Sequence, residues 1–337
     1  MIRVLIVDDS AVIRTMVKQI LLRSSEIEVV GEAGDGQKAV HEAKILKPDV
    51  IIMDINMPTM DGLEATKQIM VNSPTAILMF TTEDVARVGY QALEYGAVDI
   101  IPKPDLSKVT SVFYSFFLSK IISVAGSKSQ SSAPIKKYDI PLISANYEIF
   151  CIGASTGGPV AVQKVLKGLS TRFPVPILIA QHIDKSFDHH YASWLSETSG
   201  LPVKLANDGE SPLPGHAYVA PADNHMVVEK SMTDGRPVLR LTMDPPVHFL
   251  RPAVDKLFFS SADIYGKKCL AALLTGMGKD GTEGCKMIKT LGGYTIAESE
   301  ETCIVFGMPK AAIDAGAVSE VVPLHDISTR VSSIIGR

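Results

Sequence analysis

Three polar residues in the second half of the chain have the types and settings that acyl transfer requires. Ser155 sits in "EIFCIGASTGGP", after an apolar strand-like run and before a helix-like one, within Gly153-x-Ser155-x-Gly157. That is the layout of a nucleophile elbow: the glycines permit a sharp turn, and the helix start behind it offers N–H groups and a positive dipole end to an oxyanion. Taken alone, the motif equally suits a glycine-rich turn that binds phosphate. The next apolar run, "VPILIAQH", ends in His182. One strand–helix–strand crossover separates the two, so serine and imidazole are expected at the same sheet edge, nucleophile beside base. A third group must fix the imidazole tautomer and balance its charge. The buried-strand pattern "CLAALLTGMGKDG" delivers Asp280 to that edge for this role, and the Met277 N–H to face the reacting oxygen. The order Ser, His, Asp differs from the Ser, Asp, His order of the α/β-hydrolases, which excludes that fold.

The same loop has a second reading. Gly276-Met277-Gly278-Lys279-Asp280-Gly281 matches the glycine spacing of a dinucleotide-binding turn, and Glu298 follows about 20 residues on, where such folds place a ribose-binding acid. The output domain would then bind a dinucleotide. Against this, the fingerprint comes late in the chain and leaves Ser155 and His182 without a role. The remaining histidines, His41, His189, His190, His216, His225, His248 and His325, are expected on the surface or in ordinary hydrogen bonds, because none of them closes a strongly apolar parallel strand.

A separate polar set lies in the first half. Asp8 and Asp9 follow "VLIV", Asp54 ends "DVIIMD", Thr81 ends "AILMFT", and Lys103 follows "VDIIP". All five fall at the C-terminal ends of predicted strands, the edge where open α/β sheets collect ligands. Converging carboxylates repel unless a cation neutralises them, and an oxygen-only set suits Mg²⁺. The metal would let one carboxylate attack a phosphoryl group, with the Thr81 hydroxyl and the Lys103 ammonium holding the transferred oxygens.

The elements that must position these groups follow from the patterning. Short apolar runs alternate with helix-period segments from residue 2 to about 122, resume near 148, and imply mostly parallel, doubly wound sheets with helices on both faces. The Ser-, Lys- and Pro-rich stretch 123–147 is the predicted linker, dividing domains at 1–122 and 148–337. "LPGHAYVAPADNHMVVEK" and "RPVLRLTM" read as short strands of an antiparallel edge or insertion. The 337 residues suffice for two cores, and 46% hydrophobic with 21% charged residues at net charge −4 fits an α/β enzyme and provides no basic helix for nucleic acid. The N-terminal apolar run is too short to span a bilayer and ends in two aspartates, so a cytoplasmic protein without membrane insertion is expected. Cys151, Cys269, Cys285 and Cys303 form no C-x-x-C pair and are predicted to be buried free thiols.

Residues 1–122, through "VLIVDDSAVIR", "IIMDINMPTMDGLEA", "FTTED" and "GAVDIIPKP", resemble the receiver domain of bacterial response regulators. The resemblance implies a flavodoxin-like fold, Asp54 as phospho-acceptor, Asp8 and Asp9 positioning Mg²⁺, and Thr81 and Lys103 on the phosphoryl group. Ile100 stands where many receivers carry an aromatic switch residue. With "GASTGGP", "QH", "LPGHAYVAP", "DPPV", "RPAVDKLF", "LLTGMGKDG" and "VFGMPKAA", the whole chain resembles the CheB family of chemotaxis protein-glutamate methylesterases. That implies a Rossmann-like catalytic domain with the triad Ser155, His182 and Asp280, Met277 at the oxyanion hole, and no cofactor in that domain. It also implies deamidation of some receptor glutamines, a histidine kinase as phosphodonor and methylated chemoreceptors as substrates. The loop "IDKSFDHH" departs from the family pattern, with Asp184 in place of a proline. Because all three catalytic residues lie in the second domain, the receiver is expected to cover the catalytic edge until it is phosphorylated.

Overall fold

Val50–Met53 contains no polar side chain and is wholly buried, as a strand covered on both faces must be. Burying Ile51 and Ile52 there contributes about 1.5–3 kcal/mol each. The computed structural model describes residues 1–82, 86–105, 110–126 and 146–336. The chain divides into two units, Met1–Ser129 and Gln130–Arg337.

In the first unit β1 (Ile2–Val7), β2 (Ile27–Ala33), β3 (Val50–Met53), β4 (Ala76–Thr81) and β5 (Asp99–Pro102) form a parallel sheet in the order β2-β1-β3-β4-β5. They alternate with α1 (Ala11–Leu21), α2 (Gly36–Leu46), α3 (Gly62–Asn72), α4 (Ala86–Glu94) and α5 (Ser111–Ala125). Ser10, Asp35, Asp61 and Thr110 cap α1, α2, α3 and α5 by accepting from an amide three residues on, which sets where each helix starts. The register Val7↔Met53 brings Asp8 and Asp54 to one level, and Thr81↔Pro102 places Lys103 one residue beyond Thr81, with Lys103 N donating to Thr81 O (2.8 Å). Ile100 packs on β5 against Gly89 of α4. Helix α5 continues to Ala125; the expected linker lies largely outside the described residues.

The second unit runs β6 (Ile149–Ala154), α6 (Gly158–Lys167), β7 (Ile177–Gln181), α7 (Asp188–Ser199), β8 (Val203–Leu205), β9 (Ala217–Val219), β10 (His225–Lys230) and β11 (Pro237–Thr242). It continues with α8 (Val254–Tyr265), β12 (Cys269–Leu273), α9 (Thr282–Thr290), β13 (Tyr294–Glu298), α10 (Met308–Asp314), β14 (Glu320–Val322) and α11 (Leu324–Ile335). Seven strands make a parallel sheet in the order β14-β13-β12-β6-β7-β9-β8. The winding reverses between β6 and β12, where an α/β sheet opens a crevice at its C-terminal edge.

The expected antiparallel insertion is β10–β11, a ribbon whose Met226, Val228 and Leu239 share a core with Leu257 and Phe258 of α8. The "AYV" of that stretch instead joins the main sheet in parallel as β9. The ribbon is tied to the turn after β8, where Gly209 N donates to Leu239 O and Leu239 N donates to Glu210 O, each at 2.7 Å. The four cysteines are buried and free. No helix among the described residues is long and apolar enough to cross a membrane.

Candidate active site and phosphoryl site

Ser155 follows β6 at the winding reversal, with its backbone held from three sides. Its N–H donates to Thr275 O (3.0 Å), and its O accepts from Gly158 N (2.8 Å) and Gln181 Nε2 (2.8 Å). The Gln181 amide also donates to His182 O (3.0 Å), tying serine and histidine together. Sequence reasoning missed this strut, although Gln181 adjoins the histidine. The register pairs Ala154 with Gln181, and His182 N donates to Ala154 O (3.1 Å), so Ser155 and His182 are neighbours across the β6 and β7 ends. The Ser155 hydroxyl makes no hydrogen bond to a described residue; such bonds often tighten only with substrate.

Asp280 meets His182 at Nε2, 2.8 Å from Oδ2. Its carboxylate also accepts Val254 N (2.7 Å) and Asp255 N (2.9 Å), the first amides of α8. Burial pushes Asp280 upward, but the His182 hydrogen bond and charge and the two amides outweigh it and hold the carboxyl below its ordinary range. An anion at a helix N-terminus is stabilised by unpaired amides and by the dipole. These backbone donors carry no side-chain signature, so the sequence did not reveal them.

Gly276 and Gly281 of this loop serve close packing, whereas Gly278 has nothing within 4 Å and supplies a positive φ of +87°. A Cβ at Gly276 would lie 2.7 Å from Ser155 Cβ; at Gly281, where φ is +88°, it would lie 2.8 Å from Val254 Cγ1. Gly276 N donates to Val305 O, and Gly276 O accepts from Gly307 N and Met308 N. This fixes the next peptide, and no described group accepts the Met277 N–H or the Thr156 N–H. The α9 start is occupied: Gly284 N donates to Asp255 Oδ1 at 2.7 Å. Glu298 is fully buried and accepts Thr275 N at 2.9 Å. It braces the loop beneath Ser155 and offers no ribose contact, so the dinucleotide reading is not supported. Asp184 accepts from Ser186 N (3.0 Å) and Oγ (2.6 Å), making the turn into α7 by hydrogen bonds where a proline would make it by its ring.

In the first unit, Asp8, Asp9 and Asp54 present carboxylate oxygens within 4.8 Å of one another. Lys103 Nζ lies 2.9 Å from Asp54 Oδ1 and 2.8 Å from Asp8 Oδ2, the latter close enough for ion pairing but not aligned as a hydrogen bond. Burial raises Asp54 above the ordinary carboxylate range, against the hydrogen bond and charge of Lys103 and with the Asp8 charge adding to the rise. The Thr81 hydroxyl is buried without a hydrogen-bond partner among the described residues. An excess of carboxylates over one ammonium, with oxygen the only donor, fits a hard divalent cation such as Mg²⁺.

The sequence profile of the CheB methylesterase family matches residues 150–331, and that of the response regulator receiver domain matches residues 4–113. The protein-glutamate methylesterase/protein-glutamine glutaminase 1 of Carboxydothermus hydrogenoformans is 40% identical over 340 residues, covering 99% of this chain and 99% of the relative. A protein of the same name from Methanosarcina mazei is 39% identical, covering 98% and 95%. The crystal structure of the Thermotoga maritima CheB methylesterase catalytic domain is 41% identical with a TM-score of 0.53, covering 56% of this chain and 98% of that one. Two doubly wound domains, the second with serine, histidine and aspartate gathered where its sheet reverses, agree with these matches: the chain belongs to the CheB methylesterase family, with a receiver domain preceding its methylesterase domain.

Proposed function

We propose that this protein hydrolyses glutamyl γ-methyl esters of chemoreceptors, and deamidates particular receptor glutamines, under control of receiver phosphorylation. The observation that carries the reading is the juxtaposition of Ser155 and His182 on paired strand ends, with Asp280 2.8 Å from the far imidazole nitrogen. Ser155 Oγ attacks the ester carbonyl carbon. With Nε2 engaged by Asp280, His182 takes the serine proton at Nδ1 and then gives it to the departing methanol or ammonia. The Met277 N–H, joined by the Thr156 N–H, faces the tetrahedral oxyanion. Water activated by His182 cleaves the acyl-enzyme, freeing the Ser155 hydroxyl and leaving a glutamate side chain on the receptor. This domain, 148–337, uses no cofactor.

In the receiver, 1–122, Asp54 accepts the phosphoryl group from a chemotaxis histidine kinase, and Thr81 and Lys103 bind its oxygens. Asp8, Asp9 and Asp54 would hold Mg²⁺, which when bound neutralises the carboxylates and the phosphoryl charge. The protein acts in the cytoplasm. Methanol release from methylated receptor membranes, with and without acetyl phosphate, tests the reading. Release should occur, rise with the phosphodonor and vanish in Ser155→Ala, while Asp54 phosphorylation persists in that variant. Undiminished release by Ser155→Ala would discard the proposed nucleophile.

A further inference from the structure

Helices α8 and α9 each lack a capping side chain at their N-cap, Ala253 and Gly281. They exchange caps instead. Asp280, in the loop entering α9, takes the Val254 and Asp255 amides of α8. Asp255, in the first turn of α8, takes the Gly284 amide of α9 at 2.7 Å. The helices are close enough for this because residue 284 is glycine: a Cβ there would lie 2.4 Å from Phe258 Cβ and 3.2 Å from Asp255 Oδ1. The entry to α8 is pinned from a third side, since Ala253 N donates to His225 Nδ1 (3.1 Å) and His225 Nε2 faces Pro245 O (3.3 Å). Asp255 is buried and, among the described residues, makes no hydrogen bond to Ser155 or His182.

We propose that Asp255 is a positioning residue for the esterase reaction: by joining the α9 start to α8 it fixes Asp280 against His182 Nε2. The inference rests on the roles given above to His182 and Asp280. Without the Asp255 acceptor, the buried Gly284 amide loses its partner and the Asp280 loop is free to draw away from α8. A misplacement of about 1 Å caused by a change remote from the reacting atoms can slow the reaction by about a hundredfold. Burial pushes Asp255 up to about 6; the Asp280 charge adds to the rise, whereas the Gly284 and Gly281 amides and His248 oppose it. Cys285 of α9 also faces it. The two neighbouring carboxyls are thus shifted in opposite directions, Asp280 down and Asp255 up.

Three full-length proteins separate the cap from the charge. Asp255→Ala removes both, whereas Asp255→Asn keeps an oxygen for the Gly284 amide and removes only the charge. Asp255→Ala should lower kcat for methyl-ester hydrolysis by about tenfold to a hundredfold with KM little changed. Asp255→Asn should restore most of kcat. The downfield imidazole N–H resonance of His182 should shift in Asp255→Ala and persist in Asp255→Asn, independently of turnover. Wild-type kcat and resonance in Asp255→Ala, even with a lowered melting temperature, would reduce Asp255 to a stabilising cap and overturn the proposal. Should Asp255→Ala not fold, Gly284→Ala, whose added Cβ would press on Phe258 and Asp255, replaces it, and wild-type kcat with an unshifted His182 resonance in that variant overturns the proposal. Failure of the wild type to release methanol would instead count against the functional reading itself.

Discussion

Asp280 Oδ2 stands between two donors, His182 Nε2 at 2.8 Å and Val254 N at 2.7 Å. The helix amide holds the carboxylate while the carboxylate holds the imidazole at Nε2, so the bond to Asp280 leaves Nδ1 unused. Asp280→Asn presents an amide that can donate to Nε2 and so selects the opposite tautomer. Its kcat for ester hydrolysis should fall by about 10³- to 10⁴-fold with the circular dichroism unchanged. Near-normal turnover would remove Asp280 from the reaction.

The buried Asp54 carboxyl, raised by desolvation and by Asp8, accepts a phosphoryl group only if positive charge gathers around it. Phosphorylation by acetyl phosphate should require Mg²⁺, stop with EDTA and vanish in Asp54→Ala. Thr81→Ala, which removes a buried hydroxyl without a described partner, should slow it. Radiolabel incorporation measures all four. EDTA-resistant labelling would exclude the metal, and EDTA inhibition of the isolated methylesterase domain would contradict a cofactor-free site there.

Control by the receiver predicts an order of rates. A fragment from about residue 140 to the C-terminus should hydrolyse methyl esters faster than full-length Asp54→Ala, and phosphorylated wild type should approach or exceed the fragment. A tenfold difference corresponds to about 1.4 kcal/mol between restrained and active states. The homologous Thermotoga maritima domain was crystallised alone, so the fragment is expected to fold. A folded fragment slower than Asp54→Ala would make the receiver an activator.

Glu298 is fully buried, and desolvation lifts it to about 7 against the Thr275 amide, Thr302, Cys303 and Lys164. Its folded value lies above its ordinary one, so the native protein keeps a proton that the unfolded chain releases. The contribution of this group to stability is therefore full below its ordinary value of 4.5, falls as pH rises to about 7 and levels off above it, a difference of about 3 kcal/mol. Glu298→Gln keeps an acceptor for Thr275 N and removes the charge. Its methylesterase-domain melting temperature should exceed that of wild type at pH 8 and match it near pH 4. Equal melting temperatures at pH 8 would mean that the buried charge is compensated.

Much of the site was legible because parallel strands joined by crossovers place their C-terminal ends on one edge. Apolar runs ending at Asp8, Asp54, Thr81, Ser155 and His182 therefore named both polar sets, and the alternation around them named two doubly wound sheets. Nothing local showed which imidazole nitrogen Asp280 would meet, because that contact spans 98 residues and depends on how β12 packs beside β6. The spacing of Gly276, Gly278, Gly281 and Glu298 was compatible with two chemistries, and only the packing of the loop against Ser155 and Val254, with Glu298 bonded to Thr275 N, separated them. The cap exchange between Asp255 and Asp280 was likewise silent. Its donors are main-chain amides, identical in every residue but proline, which become distinctive only when the fold turns a helix end toward a buried carboxylate.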